Sequence, residues 1–246
     1  MTENLLISIV SHNHGRYMPK LFSDLSNLSY PDKLNVKILL TINIPEDTTY
    51  LKYARLPTEV IQNKNPLGFG ENHNRAFERR KCDYFLVINP DIEIRPEFKF
   101  SELLMMINDN VGVVSPLVFD IKRGLYDNFR PYPTLKNLLR RKFTKALSGA
   151  HSSKTEIDAF DWIAGMFMLF NSKAYGQVKG FDTSYFMYME DVDICRRLSS
   201  VGKQLLRIER QEILHHGQRQ SRYNFRHLLW HVKSYMRYTV KFFGKI

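Results

Sequence analysis

Cysteine is scarce in this chain of 246 residues: Cys82 and Cys195 are the two it has, far apart and without metal-ligand spacing. That argues against a disulfide framework and against a cysteine-based metal site. No apolar run approaches the roughly 20 residues that a spanning helix needs, so the chain is not expected to be integral to a membrane. Nothing near the start joins a basic segment to a signal-length apolar run, and a cytoplasmic, reducing setting is the expectation. Repeats and low-complexity tracts are also missing. Acid is in deficit, with 25 Asp and Glu against 36 Lys and Arg and a net charge of +11. Such an excess implies an acidic partner: nucleic acid, an anionic bilayer or a phosphorylated substrate.

An apolar fraction of 43% is that of a globular protein, and the length allows one α/β domain with a small appendage. The charge is uneven. From Lys122 to Lys145 the basic residues Lys122, Arg123, Arg130, Lys136, Arg140, Arg141, Lys142 and Lys145 face the lone acid Asp127. After Lys203 the basic residues again outnumber Glu209 and Glu212. Anion contact is therefore expected in the middle loop and at the C-terminus.

The runs NLLISIV (Asn4 to Val10) and VKILLTI (Val36 to Ile42) are β-rich and flank a helical pattern of Leu21, Phe22, Leu25 and Leu28. This is a βαβ unit and predicts parallel strands. Further strands are expected at EVIQN (from Glu59), DYFLVIN (from Asp83) and NVGVVSPLV (from Asn110), with GENHNRAFERR as a helix. A polar excursion with a short basic helix follows between Phe119 and Asp158, and WIAGMFMLF (Trp162 to Phe170) reads as one buried strand. Alternating strands and helices predict an open, mostly parallel sheet covered on both faces. Ligands of such sheets gather at the carboxyl ends of the strands. Polar clusters follow the strands in turn: SHNHGRY, NIPED, NKNPLGFGENHN and NPD. Each alone is ordinary turn chemistry, but together they outline one crevice.

Two carboxylate positions stand out. Asp91 follows a buried strand, where it is poorly placed for packing and well placed for a divalent ion, since such ions take one or two carboxylates plus substrate phosphates. The stretch FMYMEDVDICRR puts Glu190, Asp191 and Asp193 at a helix start, where acids complement the dipole. Capping does not account for the Phe, Met and Tyr that precede them.

The ordered set SHN, NPLGFGENHNRAF, INPD, WIAGMFMLF, GFDTSYFMYMEDVDICRR and ILHHGQRQS resembles the inverting family 2 glycosyltransferases over nearly the whole chain. Within that family the likeness is greatest to bacterial rhamnosyltransferases of surface polysaccharide synthesis, including O-antigen and capsule. The resemblance implies the nucleotide-sugar-binding fold called GT-A, with a C-terminal amphipathic helix. It also implies transfer of a sugar, rhamnose from dTDP-rhamnose, to a hydroxyl of a lipid-linked saccharide. The alternatives are a hexosyltransferase using a UDP-sugar and, from another class, a basic nucleic-acid-binding protein.

Carried over residue by residue, the resemblance makes Asp191 the general base, with Glu190 beside it in the catalytic pair. It assigns Ser11, Asn13, Asn43, Asn65, Gly68, Asn72, Asn74, Asn89 and Asp91 to the nucleotide-sugar, and Trp162, Gly165, Tyr188 and Asp193 to the acceptor. Asn43 and Asn89 stand where many relatives carry acids, which leaves the donor base open. Mn²⁺ or Mg²⁺ would be held by Asp91 and His215, with His216 as the alternative ligand. Trp162 has an equally ordinary reading as a core residue beside a tightly packed Gly165. The expected organisation is a nucleotide-sugar-binding half (1–118), an acceptor-binding and catalytic half (119–222) and a basic amphipathic helix (223–246). In that helix Phe225, Leu228, Leu229, Val232, Met236, Val240 and Phe243 form one stripe and Arg226, Lys233, Arg237 and Lys241 another. The pattern suits an anionic membrane surface, so the protein is expected to be peripheral at the inner face of the cell membrane.

Overall fold

The computed structural model describes residues 2–133, 160–217 and 225–243. In chain order the elements are β1 (Glu3–Ser11), α1 (Met18–Asn27), β2 (Leu34–Ile42), a 3₁₀ turn (Thr49–Tyr53), β3 (Thr58–Gln62), α2 (Phe69–Arg79), β4 (Tyr84–Ile88), β5 (Ile92–Ile94), α3 (Phe100–Met105) and β6 (Val111–Asp120). They continue with β7 (Leu125–Tyr126), β8 (Phe129–Arg130), β9 (Trp162–Ile163), β10 (Phe167–Asn171), α4 (Ser172–Gln177), α5 (Glu190–Ser200), β11 (Gln204–His215) and α6 (Phe225–Phe243). Residues 134–158 of the excursion expected to contain a short basic helix lie outside the described residues, as does the Gln218–Ser221 end of ILHHGQRQS.

Alternation of side chains along the strands builds two apolar layers, because successive residues of a strand point to opposite faces. On one face Leu5, Ile7 and Ile9 of β1 pack with Met18, Leu21, Phe22 and Leu25 of α1 and with Phe100 and Leu103 of α3. On the other, Leu6, Phe85, Val87, Met168 and Phe170 meet Ala76 of α2, Tyr175 of α4, and Val192, Cys195 and Leu198 of α5. Helices thus cover both faces, as expected of GT-A.

The main sheet runs β3-β2-β1-β4-β10-β6-β11-β5, with β7 on the outer part of β6. Strands β1 to β4 pair in parallel. The mostly parallel expectation holds for this half and for β6 with β11, but β10 lies antiparallel to both β4 and β6. The half boundary expected after residue 118 falls inside β6. WIAGMFMLF is not one strand: Trp162 and Ile163 pair with Arg130 and Phe129 in a separate ribbon, and the chain enters the main sheet only at Phe167. It breaks at Gly165 because a helix-borne carboxylate takes that residue's N–H, which a continuous ladder would have used.

Reversal of β10 has a positional consequence. Phe167 pairs with Ile88 at the carboxyl end of β4, so the Ala164–Met166 turn arrives at the same sheet edge as Asn89 and Asp91. The Asn89 N–H donates to the Met166 carbonyl at 2.9 Å. In the same way His215, at the end of β11, pairs with Ile92 of β5, directly after Asp91.

The C-terminal helix α6 is held by polar contacts. Ser234 donates to the Met187 carbonyl at 2.9 Å, and Arg196 to the Tyr238 hydroxyl at 3.0 Å. Asp193 of α5, fully buried, receives Arg197 at 2.6 Å and Lys241 at 2.5 Å, and Lys241 also reaches Asp182 at 2.7 Å. Two expectations are corrected here. Asp193 is a structural anchor with both oxygens engaged by cations, and Lys241, though it borders the outer groove with Lys233 and Arg237, commits its ammonium to this network. Removing one member of a buried ion network leaves the others uncompensated, which typically costs about 3–5 kcal/mol. Asp193→Ala should therefore lower the stability in urea denaturation by about that amount, while a mid-point within error of the wild type would show that the network contributes nothing net.

Candidate active site

At the carboxyl edge of the parallel half lies a cavity of about 360 Å³, bounded by His12 and His14 after β1, Asn43 after β2, Asn89 and Asp91 after β4, and Gly165, Glu190 and Asp191. A second cavity of about 440 Å³ shares His12, His14, Asn43, Asn89 and Arg130 with it, and extends to His215, Phe186, Tyr188 and α6. The polar clusters read from the sequence thus converge.

Asp91 is buried, with His215 Nε2 at 3.4 Å from its Oδ2. Burial alone would raise the Asp91 pKa, but the His215 hydrogen bond and the charges of His215 and His14 hold it below the ordinary value. His216 instead turns to Glu93, with 2.8 Å between Nε2 and Oε2. Neighbours on an extended chain point to opposite sides, and this separates the two histidines. Among the described residues no group of three or more His, Cys, Asp or Glu side chains is arranged to hold a metal. Asp91 and His215 are a two-donor set at the cavity wall, which fits a hard cation that takes its other ligands from phosphate and water.

Asp191 sits in the first turn of α5. Its Oδ2 accepts the Gly165 N–H at 3.1 Å and its Oδ1 the Val192 N–H at 2.9 Å. The turn that delivers it is strained: Tyr188 and Met189 have φ of 70° and 72°. Left-handed conformations of such residues persist where surroundings impose them, and they cluster at functional sites. Burial raises the Asp191 pKa, offset in part by the two N–H bonds and by the Arg130 charge. Glu190 is more deeply buried, and burial followed by the Asp191 charge pushes its pKa well above the carboxylate range. Its Oε2 has no hydrogen-bond partner.

Arg130 was not singled out from the sequence as a site residue. It lines both cavities, its Nη2 lies 2.7 Å from Asp127, and its guanidinium sits 5.2 Å from the Trp162 ring centre. Trp162 itself is buried, donates its Nε1–H to the Pro131 carbonyl at 3.0 Å, and lines neither cavity. It braces Arg130 and does not form the expected acceptor floor. Gly165 and Tyr188 do reach the cavity.

Several asparagines read as nucleotide contacts are loop clamps. Asn43 exchanges hydrogen bonds with both the N–H and the carbonyl of Leu67 at 2.9 and 3.0 Å, and accepts one from Asn63 at 2.9 Å, though it still lines both cavities. Asn72 is buried and donates to the Gly68 carbonyl at 2.9 Å. Asn74 binds Phe181 through both its N–H and its carbonyl, and accepts Tyr175, so it locks α2 to the 181 loop away from the cavities. Asn65 is exposed and lines neither cavity. A Cβ on Gly68 would meet the Phe186 carbonyl oxygen at 2.6 Å, so that glycine admits protein backbone, not a ligand.

Ser11 is fully buried and donates to Glu46 at 2.6 Å; Tyr50 donates to the same carboxylate at 2.5 Å and the His14 N–H at 3.1 Å. An acid thus does stand beyond β2, three residues past Asn43 in the NIPED stretch. Asn13 borders a polar cleft with His12, Arg16, Glu46, Asp47 and Lys52.

The profile of the family described as Glycosyl transferase family 2 matches residues 7–193. The chain is 31% identical to rhamnosyltransferase WbbL of Escherichia coli (strain K12), over 96% of this chain and 92% of that one. It is 29% identical to the N-acetylglucosaminyl-diphospho-decaprenol L-rhamnosyltransferase of Mycobacterium tuberculosis (strain ATCC 25618 / H37Rv), over 88% and 77%. Among solved structures, the mannosyltransferase PcManGT from Pyrobaculum calidifontis in complex with GDP-Man and Mn²⁺ superposes with a TM-score of 0.63 at 15% identity, over 96% of this chain and 65% of that one. GalNAc-T7 with UDP, GalNAc and Mn²⁺ superposes with a TM-score of 0.64 at 15% identity, over 87% and 44%. These two chains share the fold and are longer than this one.

Glu190 provides a test of the site's electrostatics. A carboxyl whose pKa is raised on folding contributes stability that is complete below its unfolded pKa and is lost as the pH rises through the folded value. Gln does not titrate. Glu190→Gln should therefore gain thermal stability relative to the wild type as the pH rises from about 5 to about 8, and a difference in Tm that stays constant across that range would contradict the raised pKa.

Proposed function

Because the chain belongs to glycosyl transferase family 2, and is a glycosyltransferase, we propose that it moves rhamnose from dTDP-rhamnose, with inversion, to a hydroxyl of a lipid-linked saccharide in cell-surface polysaccharide synthesis. The named activities of its rhamnosyltransferase relatives support the choice of sugar. The observation that carries the mechanism is Asp191, fixed by two backbone N–H groups at the wall of a cavity that also contains Asp91.

In this reading Asp191 takes the proton of the acceptor hydroxyl as that oxygen bonds to the anomeric carbon. The bond from this carbon to the donor diphosphate breaks on the opposite side, and the diphosphate keeps the electron pair. A carboxylate with a raised pKa is a better base than an ordinary one. Asp91 and His215 would hold Mn²⁺ or Mg²⁺, which when bound neutralises charge on the leaving diphosphate. Arg130, which lines both cavities, favours the ionised form of Asp191 by its charge, against the effect of burial. Glu190, buried and with its pKa pushed well above the carboxylate range, opens the helix beside Asp191 and does not share in proton transfer. Asn89 and Asn43 face the donor.

Asp191→Asn should leave dTDP binding, read by thermal shift, within about twofold of the wild type and reduce rhamnosyl transfer by roughly 10²–10⁴-fold, the usual worth of a general base. Asp91→Ala should weaken Mn²⁺-dependent dTDP binding. Transfer by Asp191→Asn within a few-fold of the wild type would remove the base, and a wild type stabilised by UDP or GDP but not by dTDP would change the donor.

No helix among the described residues is long and apolar enough to cross a membrane. The outer side of α6 nevertheless exposes Phe225 (71%), Leu228, Leu229, Val232, Met236 (62%) and Val240 (71%), with Lys233 and Arg237 alongside and no acid anywhere in the helix. This supports peripheral attachment to an anionic membrane surface at its inner, cytoplasmic face. Each basic residue near such a surface is worth about 1 kcal/mol, so Lys233→Glu with Arg237→Glu should weaken anionic-vesicle binding by about 30-fold or more. Flotation with the vesicles at physiological salt, undiminished in this double variant, would overturn the attachment.

A further inference from the structure

The acceptor residues expected from the sequence leave a gap, since Trp162 is sealed in the core and Asp193 is an ion-pair anchor. The larger cavity supplies a different surface. The first two turns of α6 turn His227 and Trp230 toward Phe186 and Tyr188, and these four side chains line the cavity together with Asn89 and His215. The ring centres of Phe186 and Trp230 are 4.8 Å apart, and those of His227 and Trp230 4.9 Å. The Tyr188 hydroxyl meets His227 Nδ1 at 2.9 Å, and its ring lies 5.2 Å from that of His231. The rings are partly exposed, unlike the packed aromatics of the core.

We propose that Phe186, Tyr188, His227 and Trp230 form an aromatic ledge that binds the saccharide of the acceptor. A pyranose ring is apolar on its C–H faces and polar around its rim. A surface of ring faces edged by an indole N–H, an imidazole and a phenol matches both, because such side chains present an apolar body with a polar tip. Position distinguishes acceptor from donor. Tyr188 lines both cavities, and lies in the strained turn that leads directly into Asp191. A sugar resting on the ledge therefore abuts, at Tyr188, the smaller cavity whose wall carries Asp191. The inference deepens the proposed glycosyl transfer and rests on it.

The chain has two tryptophans, so Trp162→Phe leaves Trp230 as the single indole reporter. With octyl N-acetylglucosaminyl diphosphate as acceptor and dTDP-rhamnose as donor, Trp230→Ala should raise the acceptor KM about tenfold or more. The donor KM and the slow release of dTDP to water should stay within about twofold, and Trp230→Phe should recover most of the loss. His227→Ala provides a second variant should Trp230→Ala fail to fold. An unchanged acceptor KM overturns the ledge, as does a rise confined to the donor KM, which would give the rings to the nucleobase. If the wild type transfers nothing to this probe, the proposed reaction on it fails, and the ledge is judged on the Trp162→Phe protein alone: a saturable change in Trp230 emission with the probe supports it, and none overturns it.

Discussion

A hydrogen bond of 3.1 Å from the Gly165 N–H to the Asp191 carboxylate joins the broken strand that feeds β10 to the first turn of α5, and the rest of the site is arranged around it. A glycine at 165 eases this approach, because a Cβ there would press on the Phe69 ring at 3.2 Å. Phe69 in turn opens α2 and donates its N–H to the Phe186 carbonyl at 2.9 Å. Gly68, just before it, lets that carbonyl come close. The glycine-rich stretch thus seats the left-handed Tyr188–Met189 turn, and the turn aims Asp191. Geometry at the Asp191 carboxylate is inherited from backbone contacts on three other segments.

Electrostatics follow from the same packing. In a chain of net charge +11 the three acids at the start of α5 meet three separate fates. Asp193 is neutralised by Arg197 and Lys241. Glu190 has no cation, and burial favours its protonated form. Asp191 lies between these extremes, with two N–H donors and a nearby Arg130 working against desolvation. Carboxylates within four positions of one another are thereby placed in different electrostatic settings by their surroundings alone.

Polar clusters at strand ends were legible because hydrophobic runs locate the strands, and a parallel sheet then sends the following loops to one edge. Asp91 and Asp191 were readable on those grounds together with the family pattern. Asn72 and Asn74 were misread because an amide that binds a ligand and one that satisfies a loop backbone have the same composition. Only the Leu67, Gly68 and Phe181 partners reveal the second role. Trp162 and the paired histidines depended on where WIAGMFMLF breaks and on the register of β11, and neither is set by periodicity. Arg130 and Glu46 were hidden because a single charge in a loop carries no pattern until the fold gives it neighbours.

The insertion of β10 between β4 and β6 also bears on how the chain acquires its structure. The β4 edge is completed by a strand that begins almost eighty residues later, at Phe167. As the chain leaves the ribosome, β1 to β4 can assemble early, yet they present an open edge until the later strand arrives. Pairings between distant segments form slowly, and an unfilled edge is a template for the wrong strand. The two halves are thus obligate folding partners, and the N-terminal half is committed to waiting for the segment that also carries Gly165 to the edge of the cavity.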